Sequence, residues 1–475
     1  MSGAWDLGPP SALHRAAFAD AAQVPFWLDR AEAPEPTGPL EGTAECDLAI
    51  VGGGLSGLWA AILAKADDPQ RDVVLLEGTE VAHGASGRNG GFFLSSVTHG
   101  LANGMARFPE EMPVLERLGR ENFDAAVADI GAMRIECDLE LNGDINVALA
   151  PHEEAELVEE AEQLRELGHD VEILDRERMR EEVASPTYLS GMWQRSGSAI
   201  VDPARLCWGL RRAAIDQGVR LHERTPVLGI KQAGAGVELE VAGGRLAARQ
   251  ALLATSAFPA LIRSVRRRIV PVYDYVLMSE PLTADQLVSI GWRGRQGLGD
   301  CANQFHYYRL TTDDRILWGG YDAIYHYGNA MGPERERRED TYALLSQHFH
   351  HTFPQLEGIR FTHRWAGAID TCSRFFAFHG TSHSGRVAHT VGHTGLGVGA
   401  SRFGARMALD LLAGRETEAT GLRAMQRSPF PFPPEPLRWA AIELTRNRLA
   451  AADRREGMRG LWLGLLDRLG LGYDS

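Results

Sequence analysis

The chain has 475 residues, 44% of them hydrophobic, and a net charge of −14. A chain of this length buries a large core in about two domains, and its acidic balance argues against nucleic acid or an anionic membrane as the main partner. Five cysteines, Cys46, Cys137, Cys207, Cys301 and Cys372, are scattered without paired or zinc-ligand spacing, so no metal site is expected and reduced thiols in a cytoplasmic setting are the expectation.

In chain order, residues 1–44 are rich in Pro, Ala and Gly around an apolar knot, Val24-Pro25-Phe26-Trp27-Leu28, and read as an extended arm. The first residues lack a basic stretch followed by an apolar core, so no signal peptide is expected, and no segment is suited to span a membrane. Residues 45–98 begin a nucleotide domain. The apolar run Cys46 to Ile50 suits a buried parallel strand, and Val51-Gly52-Gly53-Gly54-Leu55-Ser56-Gly57 leads into a helix-like stretch ending near Ala64. This is the context a dinucleotide fingerprint requires: Gly52 for a tight turn, Gly54 for close approach to a pyrophosphate, Gly57 for helix–strand packing. The strand Val73 to Leu76 then ends at Glu77, twenty positions beyond Gly57, where a carboxylate accepts from ribose hydroxyls and repels a 2′-phosphate. A second glycine-rich run, Gly84-Ala85-Ser86-Gly87-Arg88-Asn89-Gly90-Gly91, follows at once.

Residues 99–195 read as mainly helical, with an acidic face from Glu153 to Leu167 expected to be solvated. Asp202 and Pro203 cap another helix, and short strands through Val227 to Thr255 return the chain to the nucleotide domain over residues 196–262. A second β-rich block, residues 263–380, holds a strand from Ile269 to Met278 and a hairpin from Phe305 to Tyr321. A last nucleotide-domain part, residues 381–415, carries a strand, the loop Gly392-His393-Thr394-Gly395-Leu396-Gly397-Val398-Gly399, and a helix from about Ser401. Residues 416–475 form a Pro-rich linker and a helical tail. Lysine occurs only at Lys65 and Lys231.

The fingerprint, Glu77, the 84–91 segment and the late glycine loop, in this order, resemble the D-amino-acid oxidase, glycine oxidase and sarcosine oxidase family of FAD enzymes. Phe26-Trp27-Leu28-Asp29, Gly57-Leu58-Trp59 and the 85–91 run resemble its branch of gamma-glutamylputrescine and aminophosphonate oxidoreductases. The resemblance, over roughly residues 20–415, implies an α/β chain (α+β overall). A Rossmann-like FAD-binding domain would be interleaved with a mixed-sheet substrate domain, in the glutathione-reductase type of FAD/NAD(P)-binding fold.

It also implies roles. Ala85, Ser86, Gly87, Arg88, Asn89, Gly90 and Gly91 would run beneath the isoalloxazine, with Arg88 offsetting phosphate charge. Gly52, Gly54, Leu55, Ser56, Gly57, Glu77, Gly78, Val227 and Thr255 would hold the adenosine diphosphate part. Gly395, Leu396, Gly397 and Val398 would aim amides and a helix N-terminus at flavin O2. Leu396 stands where the family often has histidine. Cys372 does not match the position through which some members attach FAD, so non-covalent FAD is expected.

The implied reaction moves a hydride from a carbon bearing an amine nitrogen to flavin N5, giving an imine that water hydrolyses. The substrate would be a small-molecule amine or amino acid. Candidate pocket residues are Tyr273 and Tyr275 on one strand, His306 and Tyr308 on another, and His393 in the late loop, with Arg309, Tyr321, Trp365 and Asp370 near them in family order. Each also has a purely structural reading. Neither lysine stands where sarcosine oxidases place one near N5, so the choice between oxidase and dehydrogenase stays open, and with it an electron-acceptor partner or a homo-oligomer. The alternatives are oxidation of an aminophosphonate or gamma-glutamyl-polyamine specifically, a non-catalytic FAD-binding subunit, and an NADH-linked oxidoreductase, for which no second fingerprint follows a mid-chain strand.

Overall fold

A computed structural model describes residues 5–455 and 457–472; residues 1–4 of the arm and 456 and 473–475 of the tail lie outside the described residues. The elements on which the site depends are β1 (Gly42–Val51), α1 (Leu55–Asp67), β2 (Val73–Leu76), α2 (Pro151–Glu166), β3 (Gly244–Leu253) and β4 (Val270–Ser279). They continue with β5 (His306–Leu310), β6 (Ile316–Gly320), β7 (Phe361–Thr371), β8 (Val387–Val391), α3 (Gly397–Ala413), α4 (Leu437–Asp453) and α5 (Leu461–Arg468).

The first sheet is built on parallel strands in the order β8, β3, β1, β2 and Arg220–His222. Ile50 of β1 stands between Leu75 and Leu252, and all four residues of β2 are buried, as expected of parallel strands covered on both faces. Two antiparallel strands, Val227–Ala233 and Gly236–Val241, hang from β3. The helix α1 is buried along nearly its whole length, from Leu55 through Ala64. It is apolar on every side because α3 and the helix Pro203–Asp216 cover what the sheet does not. Removing a side chain such as Leu58, which is fully buried, would cost about 2–5 kcal/mol.

The second sheet is mixed, in the order Ile324–Tyr325, β4, β6, β5, Gly297–Asp300, Asp144–Ala148, Ser190–Gln194 and Val171–Leu174, with β7 along the other side of β4. The segment expected to be mainly helical, residues 99–195, therefore also supplies three strands of this sheet. The strands are short, four or five residues each, too brief to show a period of two against the strong helical pattern around them. The N-terminal arm crosses this sheet: Ala22 exchanges backbone hydrogen bonds with Thr362 and Arg364, and Trp27 is 1% exposed.

Side-chain alternation on β4 decides what faces the first sheet. Tyr273, Tyr275 and Leu277 enter the aromatic core against Tyr342, Phe349 and the helix Glu339–Thr352. Val272, Asp274 and Val276 point the other way and line a cavity.

Candidate functional site

The turn after β1 is built by geometry available to few residues but glycine. Gly52 has φ +111°, and a Cβ there would meet the Ala254 carbonyl; a Cβ on Gly57 would run into the Gly52 carbonyl. The N-terminus of α1 consequently opens into the cavity, and the Leu55 amide donates to the Ser86 hydroxyl at 3.0 Å. At the end of β2, the Glu77 carboxylate accepts from the Gly53 amide at 2.6 Å and from the Thr79 amide at 2.9 Å. Those bonds fix it at the mouth of the turn.

The 84–91 segment is held from behind. Trp27 Nε1 donates to the Asn89 carbonyl at 2.9 Å, and Trp365 Nε1 to the Arg88 carbonyl at 2.8 Å. The Asn89 amide donates back to the Ala85 and Ser86 carbonyls and accepts from Gly91. With several of its carbonyls taken up, the segment borders the cavity at Gly84, Ala85, Ser86, Arg88, Asn89 and Gly90. Gly87 and Gly91 have no room for a Cβ, which would strike the Ala82 and Val201 carbonyls. Arg88 donates to Glu336 and to the Ala366 carbonyl, each at 2.9 Å, and to the His83 carbonyl at 2.8 Å. Its guanidinium thus ties the segment to the second sheet, where the sequence suggested a counter-charge for phosphate.

On the far side, β8 leads into Gly392 and Gly395, with φ +83° and +97°, and α3 begins at Gly397, four residues before the expected start. A Cβ at Gly395 would find its nearest neighbour, His99, 3.9 Å away. The glycine there serves backbone conformation rather than space. Leu396, Gly397 and Val398 line the cavity beside the N-terminus of α3. His393 sits between Ser56 Oγ, 3.5 Å from its Nε2, and Asp370, whose carboxylate is 3.6 Å from Nδ1 and accepts from the Gly392 amide at 2.6 Å.

These parts border one continuous cavity of about 1150 Å³. Its wall includes Gly52, Gly54, Leu55, Ser56, Glu77, Gly78, Ala85, Ser86, Arg88, Asn89, Gly90, Val227, Thr255, His393 and Gly395 through Val398; Gly57, Gly87 and Gly91 stand just behind it. Two helix N-termini, a carboxylate at the end of the second strand and a glycine cradle on which side chains would collide suit a bound dinucleotide. Cys372 also touches the cavity, but its thiol donates to the Phe376 carbonyl and burial pushes its pKa up.

Four residues expected in the pocket lie outside its wall. Tyr273 accepts from the Gly332 amide, and Tyr275 donates to the Arg335 carbonyl. Tyr308 bonds to Tyr188 at 2.7 Å. His306 meets His348 at 2.9 Å, stacks on Tyr321, and is pulled down by burial to about 3. All four occupy the face of the sheet opposite the cavity. The cavity-facing neighbours are Asp274 and Tyr307, joined by a short hydrogen bond from the Tyr307 hydroxyl. Asp274 also accepts from the Tyr275 and Gly320 amides at 2.9 and 3.1 Å, and burial pushes its carboxyl up to about 6. The Tyr307 ring lies on Gly90 of the cradle, where a Cβ would come within 2.6 Å of it. The signal for this pair was the strand period of two combined with Gly319-Gly320 on the neighbouring strand; choosing strand positions by aromatic content picked the core face.

The acidic helix α2, expected to face solvent, turns Glu153, Glu156 and Glu160 to the cavity. Lys65 donates to the Pro69 and Arg71 carbonyls and Lys231 pairs with Glu238, both away from the cavity.

The family model described as FAD dependent oxidoreductase, DAO, matches residues 47–411. The chain is 30% identical over 404 residues to gamma-glutamylputrescine oxidoreductase of Escherichia coli, covering 83% of this chain and 90% of that one. It is 26% identical over 393 residues to the Haemophilus influenzae protein named probable oxidoreductase OrdL, covering 79% and 85%. Among solved structures, glycine oxidase from Geobacillus kaustophilus shares its fold, with a TM-score of 0.66 at 21% identity over 79% of this chain and 96% of that one. No described helix is long and apolar enough to cross a membrane. The glycine turn, the cradle and the start of the late helix all fall within the matched span, and the chain belongs to the DAO family of FAD-dependent oxidoreductases.

Proposed function

We propose that this enzyme oxidises a carbon–nitrogen bond of an amine or amino acid, with FAD held non-covalently in the cradle described above. The observation that carries the reading is Asp274: a carboxylate on the substrate-domain sheet, fixed by Tyr307, facing the glycine segment across the cavity. Membership of the DAO family and the likeness to an enzyme named for gamma-glutamylputrescine support an amine as the electron donor.

FAD, when bound, supplies the hydride acceptor. The protein's part is binding and proton control. Above about pH 6 the Asp274 carboxylate is ionised and accepts hydrogen bonds from a substrate ammonium. The cavity's apolar wall, which includes Val272, Val276 and Ile369, raises the cost of that ammonium's charge and lowers its pKa. An amine that has lost its proton leaves its α-hydrogen hydridic. Asp274, held near neutrality, accepts that proton at its carboxylate. His393, between Ser56 and Asp370, offers a second proton site beside the helix N-terminus. Since neither lysine faces the cavity, reaction with oxygen would rest on His393; otherwise electrons leave to a separate acceptor.

The test is anaerobic mixing of the yellow enzyme with paired amines and alcohols of the same skeleton. Bleaching by amines and not by the matching alcohols supports the reading; bleaching by alcohols alone overturns it.

A further inference from the structure

The family match ends at residue 411, yet part of the cavity wall comes from beyond it. The helix α4 presents Arg438, Ala441, Ile442, Thr445, Arg446 and Leu449 to the cavity, a stripe at helical spacing. From α5, Trp462 and Leu466 complete the surface, and Trp462 Nε1 donates to Thr445 Oγ1 at 3.0 Å, locking the two helices together.

This tail is fastened to the substrate domain by specific bonds. The Asp453 carboxylate accepts from the Asn303 and Gln304 amides at 3.0 and 3.1 Å, in the loop leading to β5 and hence to Tyr307. Arg446 pairs with Asp322 at 2.8 Å and Glu443 at 2.9 Å. The turn at Gly457 rests on α2: a Cβ there would stand 3.2 Å from the His152 ring and 3.9 Å from Glu156. The tail and α2 therefore face one another across the far end of the cavity.

The charges in that chamber are unevenly satisfied. Its arginines are engaged, Arg446 as above and Arg438 with Asn329 and the Pro433 carbonyl. Glu156 and Glu160, one helical turn apart on α2, border the cavity without a hydrogen bond or ion pair among the described residues; Glu156 is exposed to solvent and Glu160 half-buried. Desolvation together with Asp144 pushes Glu160 up to about 7. Ala441, Ile442, Leu449 and Leu466, set among arginines already engaged by other partners and facing unpaired carboxylates, suit a chain of methylenes that ends in a cation.

We propose that the C-terminal helices and α2 form a distal subsite that binds the far end of an elongated amine carrying a second positive charge. The proposal rests on the amine reading above: one nitrogen lies at Asp274, the other at Glu160. The tail makes the enzyme selective by length and by end-group charge.

The experiment measures binding by calorimetry on the FAD-loaded enzyme, with linear α,ω-diamines of four to eight carbons and the matching n-alkylamines as probes. Anaerobic flavin bleaching is recorded alongside. The best diamine is expected to bind about tenfold more tightly than its monoamine partner, the scale of one charge-assisted pair. Glu160→Gln should reduce that preference to within about twofold while leaving monoamine binding unchanged. Ile442→Trp, which fills the tail wall, should weaken long diamines and spare short ones. Equal binding of diamines and monoamines by the native enzyme, or a diamine preference that survives Glu160→Gln, overturns the subsite. Selective diamine binding without bleaching would leave the subsite standing and overturn the amine-oxidation reading instead.

Discussion

The Tyr307 side chain reaches Asp274 by crossing a glycine. Tyr307 is on β5 and Asp274 on β4, with β6 between them, and the ring passes over Gly319, where a Cβ would come within 2.6 Å of its Cζ. The same ring also lies against Gly90. One tyrosine thus joins the glycine cradle to a carboxylate of the second sheet, and glycines at 90 and 319 leave room for its ring.

Asp274→Asn should lower kcat/KM for the best amine roughly thirtyfold, the equivalent of about 2 kcal/mol for a lost charged hydrogen bond. The sign of the pH dependence follows from burial: the Asp274 carboxyl is raised to about 6, so activity is lost as pH falls through that value and the acid limb disappears in the variant. A pH profile of kcat/KM for both proteins checks this. An unchanged acid limb in Asp274→Asn would assign the limb to another group.

Gly90→Ala should separate cofactor binding from chemistry. The added methyl presses on the Tyr307 ring, whose hydroxyl is held by Asp274. The variant is expected to keep its yellow colour and its melting temperature within a few degrees while losing most of its activity. Loss of FAD on gel filtration would show that Gly90 serves the cradle alone.

Gly57→Ala behaves differently. Its methyl meets the backbone carbonyl of Gly52, which cannot rotate away, so about 1–3 kcal/mol of overpacking falls on the turn that carries the fingerprint. The expected outcome is protein purified without FAD and with a lowered melting temperature, partly restored by excess FAD through mass action.

Gly395→Ala tests conformation in the absence of crowding. The site has space, but φ is +97°, so the cost is backbone strain of about 1–2 kcal/mol. A melting-temperature drop of a few degrees is expected, with weaker FAD retention because α3 can no longer start where it does.

The nucleotide half of the fold was legible because its constraints are local. Gly52, Gly54 and Gly57 declare a turn, and Val73 to Leu76 declare a buried strand. The substrate half was less so. Alternation showed that β4 and β5 were strands but not which face was covered, and aromatic content pointed to Tyr273, Tyr275, His306 and Tyr308, the core side. The core face of a sheet is where large rings pack, so the cavity face was carried by the less conspicuous Asp274 and Tyr307. Glu160 was missed for a related reason: an acidic helix face usually meets water, as Glu156 does, and the tail that borders the same cavity is distant in sequence.

The most direct test of the central claim is stoichiometry. Enzyme loaded with FAD is mixed anaerobically with excess of its best amine, and reduced flavin, carbonyl product and released nitrogen compound are counted together. Equal amounts of all three are expected in a single turnover, with formation abolished or strongly slowed in Asp274→Asn. Flavin that takes up no electrons from any amine, while a chemical reductant still bleaches it, would contradict the account.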